Sequence, residues 1–550
     1  MAPLSIVVVP ARDEAPHIAA CLDALAAQTI GRERFSVILV DDACRDDTVA
    51  RAREAASRVG LQLEVLAGRG HGAGAARRLG MDAAAERLRA AGGYEALIAC
   101  TDADSRPRPD WLERQLAHVR AGAPVIAGMI ELDPDEAEAL PSGTRSRRER
   151  DAARRLSAVR DLDTTAEHHH FAGASLGITA RTYLEVGGLE PLPALEDAAF
   201  AARLRARGIP VRFAGDVRVR TSARIDGRAG RGLAVDLAVS SWLERRRYQA
   251  EDFPLPALLT ADPGPRISVI IPTRDCASTI AGVIGRTVHP FAEAGLIDDC
   301  VVVDAASADG TAERAAAAGA RVLQQDELLP DFGPALGKGD AMWRALAATE
   351  GELVCFLDGD TADPDPRHLQ GLVGPLLCDR SLALVKGTFD RPLRIGGGEL
   401  PHEGGRVTEL MARPVLNLHH PLLAGFTQPL AGEFAATRAL LEGLPFPVGY
   451  GVEVAVLIDA LRAVGLFSLG ECALGERHNR HQSLRALGPM AYAVLAAAER
   501  RIEPAARSPL GGHFLQPWDD GATAMVPIEE RPSLESLVGA VPGAPAGAVA

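Results

Sequence analysis

Residues 97–111 read LIACTDADSRPRPDW, and residues 353–366 read LVCFLDGDTADPDP. Each stretch is a short apolar run, typical of a buried strand, that ends abruptly in two aspartates separated by one residue. These pairs are Asp102 with Asp104 and Asp358 with Asp360. Carboxylates placed so closely present hard oxygen ligands to a divalent cation. Because the pattern occurs twice after an apolar run, it favours two related sites over a chance cluster of surface acids.

Three further pairs of motifs repeat in the same order. LSIVVVP (4–10) is echoed by ISVIIP (267–272), FSVILVDDACRDDT (35–48) by DCVVVDAASADGT (299–311), and LEDAAFAARLRARG (195–208) by GVEVAVLIDALRAVG (451–465). The shift is 262 residues from Pro10 to Pro272 and 256 residues from Asp104 to Asp360. A constant order with a nearly constant shift predicts a tandem duplication. We expect a first domain over 1–250, a linker over 251–266, a second domain over 267–505, and a tail over 506–550 whose end is disordered.

Each half alternates β-branched strand patterns with helical ones. This alternation predicts an α/β fold in which a mostly parallel sheet is flanked by helices. Ligands of such sheets bind beyond the carboxyl ends of the strands. Every carboxylate motif described above follows a predicted strand, so the sequence places a ligand site at that edge of each sheet.

Composition excludes several other classes of protein. Hydrophobic residues make up 47% and charged residues 24%, which is ordinary for a globular chain. The formal net charge of −14 disfavours nucleic-acid binding. No apolar run approaches the roughly 20 residues that span a bilayer, and the N-terminal MAPLSIVVVPARDEA lacks the basic start of a signal peptide. Eight cysteines without a CxxC pair indicate free thiols, so we expect a cytoplasmic protein.

The order of the motifs carries a resemblance. Strand–PxxDE, strand–DD, strand–DxD and then an acidic helix start is similar to the GT-A glycosyltransferases, which bind nucleotide sugars, and the first half resembles their family 2. The resemblance implies that Asp104 binds a metal ion and that Asp197 is the catalytic base for an acceptor hydroxyl. The donor-binding residues that it implies are Pro10, Arg12, Glu14, Asp41, Asp42 and Asp102.

The second half resembles a narrower family, the retaining glucosyl-3-phosphoglycerate synthases of family 81. The matching stretches are GKGDAMWRALAATEGELVCFLDGD (337–360), GRVTELMARP (405–414), QPLAGEFAATR (428–438) and GYGVE (449–453). The resemblance implies transfer of glucose from an NDP-glucose, with UDP-glucose expected, to the 2-hydroxyl of 3-phosphoglycerate with retention. It also implies Mg²⁺ or Mn²⁺ as cofactor and a homodimer.

The same resemblance assigns roles to individual residues. Asp360 would bind the metal, and Glu453 would hold the glucose hydroxyls at the catalytic centre. The other implied residues are Pro272, Arg274, Asp304, Lys338 and Asp358 for the donor, and Gly405, Arg406, Thr408 and Arg477 for the acceptor. Arginine suits the acceptor because it grips oxyanions bidentately.

The second half departs from its family at three places. Cys276 stands where the family usually carries an acid, and the nucleoside turn from Asp304 to Ser307 is poor in hydroxyls. The metal histidine usually lies in an R-x-H-R-N pattern, but GERHNRHQ (475–482) places Asn479 at that position. We therefore expect His478 or His481 to reach the metal.

Two alternatives remain open from the sequence. In the first alternative, the chain is a tandem glycosyltransferase for a cell-envelope or secondary-metabolite acceptor. In the second, one half is a non-catalytic binding or dimerisation module. Two clusters in the first half also have two interpretations. The arginine-rich stretch 144–160 is either a solvated helix face or an anion-recognising surface, and His168, His169 and His170 have either a structural or an acceptor-lining role.

Overall fold

The computed structural model describes residues 5–192, 195–227, 230–259, 264–395, 398–400, 404–477, 483–502, 513–516, 522–525 and 529–537. The chain divides into two compact units, Met1–Glu244 and Arg245–Ala550. Each unit is a mixed α/β structure built on a large, mostly parallel sheet flanked by helices. This confirms the fold class that the alternating strand and helix patterns predict.

The described strands of the first unit form one sheet in the order β3-β2-β1-β4-β7-β6-β8-β5. They are β1 (Ser5–Ala11), β2 (Phe35–Asp41), β3 (Leu63–Ala67), β4 (Leu97–Cys100), β5 (Ser105–Pro107), β6 (Val125–Leu132), β7 (Leu176–Thr179) and β8 (Val211–Thr221). The helices are α1 (Ile18–Ala26), α2 (Thr48–Val59), α3 (Ala73–Ala90), α4 (Trp111–Arg120), α5 (Pro134–Glu138), α6 (Ser142–Arg160), α7 (Ala180–Glu185), α8 (Glu196–Ala206) and α9 (Leu233–Arg245). Alternate residues of β1 face separate apolar cores, Val7 and Val9 on one side of the sheet and Ile6 and Val8 on the other. The sheet is therefore buried on both faces, as its continuous apolar strands predict.

The second unit has its main sheet in the order β12-β11-β10-β13-β17-β14-β19-β9. Its described strands are β9 (Arg247–Gln249), β10 (Ile267–Thr273), β11 (Asp299–Asp304), β12 (Arg321–Gln324), β13 (Leu353–Phe356), β14 (Leu384–Asp390), β15 (Leu393–Ile395), β16 (Gly398–Leu400), β17 (Phe434–Thr437), β18 (Phe446–Pro447), β19 (Leu469–Glu476), β20 (His513–Gln516), β21 (Ala522–Met525) and β22 (Glu530–Arg531). The helices are α10 (Leu255–Leu258), α11 (Ile280–Val283), α12 (His289–Glu293), α13 (Thr311–Ala317), α14 (Lys338–Ala347), α15 (Arg367–Cys378), α16 (Arg413–His419), α17 (Arg438–Glu442), α18 (Val452–Val464) and α19 (Leu484–Glu499).

The two sheets follow one topology. Across each sheet the strands form three parallel pairs, then include one strand that is antiparallel to both neighbours, and then form another parallel pair. The turns after the first two strands also share unusual backbone angles. Asp13 and Asp275 have φ of 51° and 53°, and Ala43 and Ala306 have φ of 61° and 54°. Left-handed conformations at matched non-glycine positions support a duplication of one domain.

The boundary between the units differs from the expected one. Strand β9 pairs with β19 in the second sheet, so the second unit begins before the expected linker. Phe253 and Leu258, inside that expected linker, are buried in the second unit's core. The prolines of this segment indicated a linker, but its apolar side chains bury area against α15, and burial decides where the segment lies.

Part of the expected tail is a fixed element of the second unit. We call residues 529–537 the C-terminal strap. Its strand β22 pairs with β18, and Arg531 Nε and Nη2 donate to the carboxylate of Asp340 at 3.0 and 2.7 Å. Trp343 Nε1 donates to the carbonyl of Pro532 at 3.0 Å. The strap therefore fastens helix α14, whereas residues 538–550, for which disorder is predicted, lie outside the described residues.

Two further observations concern the chain as a whole. Searched over its described ranges, the structure contains no helix with the length and apolar character needed to cross a membrane. All eight cysteines are unpaired, and Cys100 and Cys355 are buried in strands as small apolar residues.

Candidate active sites

The second-unit site lies at the carboxyl ends of β10 and β13 and the amino ends of α14 and α18. We define it by the ionisable side chains that meet there, Lys338, Asp358, Asp360, Glu433, Glu453 and Arg477. Gly337, directly before α14, has φ of +148°, and a Cβ there would lie 2.9 Å from the carbonyl oxygen of Val448. A glycine therefore lets α14 begin against the loop that precedes α18.

Lys338 joins the aspartate pair to the acidic start of α18. Its Nζ donates to Asp358 Oδ1 at 2.7 Å and to Glu453 Oε1 at 3.0 Å. Burial would lower the pKa of Lys338, but the two carboxylates outweigh burial and hold that pKa above its usual range. Burial would likewise raise the pKa of Asp358, but Lys338 and Arg477 hold it well below the usual range. Lys338 and Asp358 are therefore both ionised, and Gly432 leaves them no spare room, since a Cβ there would lie 2.3 Å from Lys338 Nζ.

Arg477 lies beneath the aspartates with its side chain only 2% exposed. Its Nη1 is 3.2 Å from Asp358 Oδ2 and 3.1 Å from Glu433 Oε2, and its Nη2 is 3.3 Å from Asp360 Oδ1. Glu433, inside the quoted stretch 428–438, was not singled out from the sequence, and burial raises its pKa to about 7 against the opposing effect of Arg477. The acceptor role that the sequence implies for Arg477 stays a prediction, because this guanidinium is engaged by carboxylates.

Asp360 is the carboxylate of this site that remains open to an incoming cation. Its side chain is 72% exposed, whereas that of Asp358 is 20% exposed and held by two cations. An accessible carboxylate beside a second one fits a divalent metal ion that also binds a diphosphate. His478 and His481, the predicted histidine ligands, lie outside the described residues, so their role stays a prediction.

Asp304, which is predicted to bind the donor nucleoside, is the last residue of β11. Its buried carboxylate accepts hydrogen bonds from Ser307 N at 2.9 Å, Ser307 Oγ at 2.6 Å and Gln324 Nε2 at 3.3 Å. Pro272 lies in β10 and Arg274 is exposed just after that strand. Cys276 is buried, and burial raises the pKa of its thiol to about 11, so this position carries no charge near neutral pH.

The predicted acceptor motif is anchored to Arg391, directly after β14. Gly404 N donates to the Arg391 carbonyl at 2.8 Å, and a Cβ on Gly404 would lie 2.3 Å from that oxygen. Gly405 has φ of +72°, and Thr408 is buried. The Arg391 guanidinium interacts with the charges of the second-unit site, and burial together with Arg477 lowers its pKa. Arg391 is thus a cation near the predicted acceptor motif that sequence reasoning missed.

The first-unit site has the same plan with different residues. We define it by Glu14, Arg77, Asp102, Asp104, Glu196 and Arg224. Buried Arg77 ion-pairs with Asp102, at 2.6 Å, and with Glu196. Arg224 Nη1 and Nη2 donate to the Glu14 carboxylate at 2.8 and 2.7 Å, and its Nη2 is 2.9 Å from Asp104 Oδ2. Arg224 has no motif around it that would have identified it from the sequence.

The predicted donor residues of the first unit lie at the ends of adjacent strands. Pro10 is buried in β1, and Arg12 Nη1 is 3.8 Å from Asp42 Oδ2. Asp42 accepts a hydrogen bond from Gly72 N at 2.9 Å, and Asp41 accepts one from Cys44 N at 2.8 Å. The predicted donor residues therefore lie together at one edge of this sheet, and the role of each stays a prediction.

Asp197 differs from its neighbour Glu196. Glu196 is buried against Arg77, whereas Asp197 is half-buried, makes no ion pair within the described ranges and accepts a hydrogen bond from Ala198 N at 2.7 Å. Burial and then the charge of Glu196 raise the pKa of Asp197. A carboxylate with a raised pKa and no cation partner suits a general base.

Comparison with known proteins agrees with this geometry. The family model for glycosyl transferase family 2 matches residues 6–180 and 268–397, together more than half of the chain. Glucosyl-3-phosphoglycerate synthase from Mycolicibacterium paratuberculosis is 42% identical over 271 residues, which are 49% of this chain and 82% of that protein. The crystal structure of mannosyl-3-phosphoglycerate synthase from Rubrobacter xylanophilus is similar with a TM-score of 0.50 and 40% identity, covering 54% of this chain and 98% of that one.

A third comparison is with glucosyl-3-phosphoglycerate synthase from Mycobacterium tuberculosis, crystallised in complex with Mn²⁺, uridine-diphosphate-glucose and phosphoglyceric acid. It is 38% identical, with a TM-score of 0.47, and covers 52% of this chain and 95% of that one. The duplicated sheet, the aspartate pairs at the strand ends and the matches on both halves lead to one conclusion: the chain belongs to glycosyl transferase family 2.

Proposed function

We propose that the second unit transfers glucose from UDP-glucose to the 2-hydroxyl of 3-phosphoglycerate. The observation that carries this proposal is 42% identity to a glucosyl-3-phosphoglycerate synthase across 82% of that enzyme's length. The second-unit site supports it, because Lys338, Asp358 and Glu453 form one ionised group at the strand ends where a nucleotide sugar binds.

The residues of this site have separate roles in the proposed reaction. Asp304 presents a fixed carboxylate to the nucleoside, since its four hydrogen bonds hold it in place. Asp360, with His478 or His481 as the predicted histidine ligand, would hold the divalent ion, which would supply Lewis-acid stabilisation of the departing diphosphate. Lys338 carries positive charge where the diphosphate and sugar meet, and Glu453 accepts hydrogen bonds from glucose hydroxyls. Fixed charges of this kind act without reorganisation as the bond breaks.

Retention of configuration is part of the proposal. Glu453 is paired with Lys338 at 3.0 Å and is therefore a poor candidate for a covalent nucleophile. We infer an attack from the same face of the sugar, in which the leaving phosphate accepts the proton of the acceptor hydroxyl. Gly405, Arg406 and Thr408, with Arg391 beside them, would hold the phosphate and carboxylate of 3-phosphoglycerate.

The first unit is proposed to be a second glycosyltransferase with its own acceptor. Its site keeps both aspartates of the DxD pair and an unpaired Asp197 as base. We further propose a cytoplasmic protein, consistent with eight free thiols.

A mannosyl donor is the second candidate for the second unit. The structural neighbour with a TM-score of 0.50 is a mannosyl-3-phosphoglycerate synthase, at 40% identity. The test must therefore compare the two sugars rather than assume glucose.

The test follows nucleoside diphosphate release from the full-length protein with Mg²⁺, with and without 3-phosphoglycerate. UDP-glucose and GDP-mannose are supplied separately, and the anomeric proton of the product is examined by NMR. We expect acceptor-dependent release from UDP-glucose and an α-configured product. Asp360→Ala should abolish this release, and the matched variant Asp104→Ala should retain it. Release that survives in Asp360→Ala would show that the reaction does not occur in the second unit.

A further inference from the structure

A cavity of about 370 Å³ lies in the first unit, and none of its lining residues belongs to the first-unit site. It is lined by the end of β6, helix α6, the start of α9, and His169 with His170. This volume suits a small organic molecule. Part of the wall is apolar, with Ile130, Leu140 and Leu237 among its residues.

The position of the cavity matches the predicted acceptor region of the second unit. Its polar wall is formed by the segment between β6 and β7. These strands pair antiparallel as β14 and β17 do, and the segment between β14 and β17 carries the predicted acceptor residues Gly405 to Thr408. The same connection of the duplicated fold therefore holds a pocket in one unit and an acceptor motif in the other.

The cavity lining carries three arginines and four carboxylates, and two of those carboxylates, Glu131 and Asp151, pair with arginines outside the lining. Glu131 is held by Arg108 at 3.0 Å and by Arg218 at 2.8 Å. Asp236 lies 3.8 Å from Arg155, and Arg148 makes no ion pair with any described residue. Arg148 is half-buried, and burial together with the charge of Arg155 lowers its pKa against the opposing effect of Asp236. An unpaired guanidinium held in this way favours an anionic ligand.

Two neutral imidazoles supply further polar groups. The ring centroids of His169 and His170 lie 4.2 Å apart with the ring planes tilted by 46°, and His170 Nδ1 accepts a hydrogen bond from Ile130 N at 3.2 Å. Burial and then the charge of Arg155 lower the pKa of His169 to about 4, while burial and His169 lower that of His170 to about 3. Because Nδ1 of His170 is an acceptor, the proton of this neutral ring lies on Nε2, where it is available to a ligand.

We propose that this cavity binds a small organic anion, whose carboxylate or phosphate is held by Arg148 and the imidazoles of His169 and His170, and whose apolar part contacts Ile130 and Leu237. Its identity as the acceptor of the first unit rests on the proposed glycosyltransferase activity of that unit. Anion binding itself does not depend on that activity, so the two can fail separately.

The experiment measures modification of single histidines in the full-length protein. Diethyl pyrocarbonate reacts with neutral imidazoles at pH 7, and tandem mass spectrometry distinguishes His168, His169 and His170. The probes are phenyl phosphate, benzoate and the uncharged benzyl alcohol. We expect phenyl phosphate or benzoate to slow modification of His169 and His170 at least fivefold, and benzyl alcohol to leave it unchanged. The more protective anion identifies phosphate or carboxylate as the preferred group.

The controls separate anion binding from general shielding. Arg148→Gln should remove the protection, whereas Arg147→Gln, an exposed neighbour on the same helix, should keep it. His168, buried with Nε2 3.2 Å from the carbonyl of Ala214, should stay slow in every variant and so reports that the fold is intact. If Arg148→Gln exposes His168 to modification, the variant Arg148→Lys is used instead. It should retain a weaker protection of His169 and His170. Equal protection by benzyl alcohol, no protection by either anion, or full protection in Arg148→Gln would overturn the proposal.

Discussion

In both sites of this chain a cation holds the first aspartate of the pair, but a different residue supplies that cation. In the second unit the first aspartate of the pair is held by Lys338, the first residue of α14. In the first unit it is held by Arg77, one turn into α3. Each cation also reaches an acid at the start of a later helix, Glu453 or Glu196.

The surroundings of the second aspartate differ between the two units. Asp104 is 15% exposed and is held by Arg224, which is clamped by Glu14. Asp360 is 72% exposed, and its cation Arg477 is shared with Asp358 and Glu433. Strand register places Cys276 at the position equivalent to Glu14, so the buried glutamate of the second unit comes from a different strand. The fold therefore fixes where the cations and carboxylates must meet, but not which chain position supplies them.

The largest expected effect is on the cation that bridges the aspartate pair. Lys338→Met leaves Asp358 and Glu453 buried without their common partner, and removing a partner from a buried ion pair costs about 3–5 kcal/mol. We expect kcat/KM of the second-unit reaction to fall by at least about 100-fold. Steady-state release of UDP measures this loss.

The matched variant is Arg77→Met, which makes the same change in the first unit. It should leave kcat/KM of the second-unit reaction within about twofold, because it removes no group from that site. Comparable losses in both variants would show that the reaction needs both sites.

The next effect concerns the C-terminal strap, which has no counterpart among the described elements of the first unit. Arg531→Ala removes one of the two arginines on fully buried Asp340. We expect the second unit to lose about 3 kcal/mol of unfolding free energy. Urea unfolding, monitored through the hydrogen exchange of peptides from β13, measures this loss. Arg380→Ala, an exposed position, should change it by less than about 0.5 kcal/mol, and an equal change in both variants would contradict the role of the strap.

A smaller effect is expected at Lys386, where strand register places Ala127 in the first unit. Burial lowers the pKa of Lys386 from 10.5 to about 8, so protonated Lys386 destabilises the folded state. This penalty is largest below pH 8 and disappears as pH rises through 10.5. We expect Lys386→Met to stabilise the second unit by about 2 kcal/mol at pH 7, after the loss of one hydrogen bond to Ala431.

The advantage of Lys386→Met should shrink to less than about 0.5 kcal/mol at pH 10. Urea unfolding at both values of pH provides the measurement, and the Arg380→Ala variant should show no such dependence. A gap that widens with pH would mean that the folded state raises the pKa of Lys386 rather than lowering it.

The smallest effect tests the exchange of Glu14 for Cys276. Cys276→Glu adds a carboxylate that faces Asp358 and Asp360, whose charges already act on this position. An extra negative charge should raise the affinity of the second-unit site for Mn²⁺ about threefold to tenfold without nucleotide. Calorimetric titration in an Asp104→Ala background measures it, and Cys276→Gln, which adds no charge, should leave the affinity unchanged. A weaker or unchanged affinity in Cys276→Glu would contradict the expected effect of a negative charge at this position.

The sequence predicted the features that are local and missed those that depend on distant contacts. The strands, both aspartate pairs and the duplicated order follow from patterns a few residues long, and the structure has them. Arg224 meets Glu14 across 210 positions of sequence, and no pattern around either residue indicates that contact. The segment 251–266 was expected to be a linker because proline and glycine act locally, whereas its burial depends on the second core.

The strap also has a consequence for how the protein is made. Every residue that defines the first-unit site precedes residue 225, so that site can form while the rest of the chain is still being synthesised. Helix α14 receives its contacts to Arg531 and Pro532 only after about 300 further residues have been added, roughly 15–60 s later at ordinary rates of translation. A ribosome that stalls in the last part of the message would therefore release a chain with one finished site and one unfinished one.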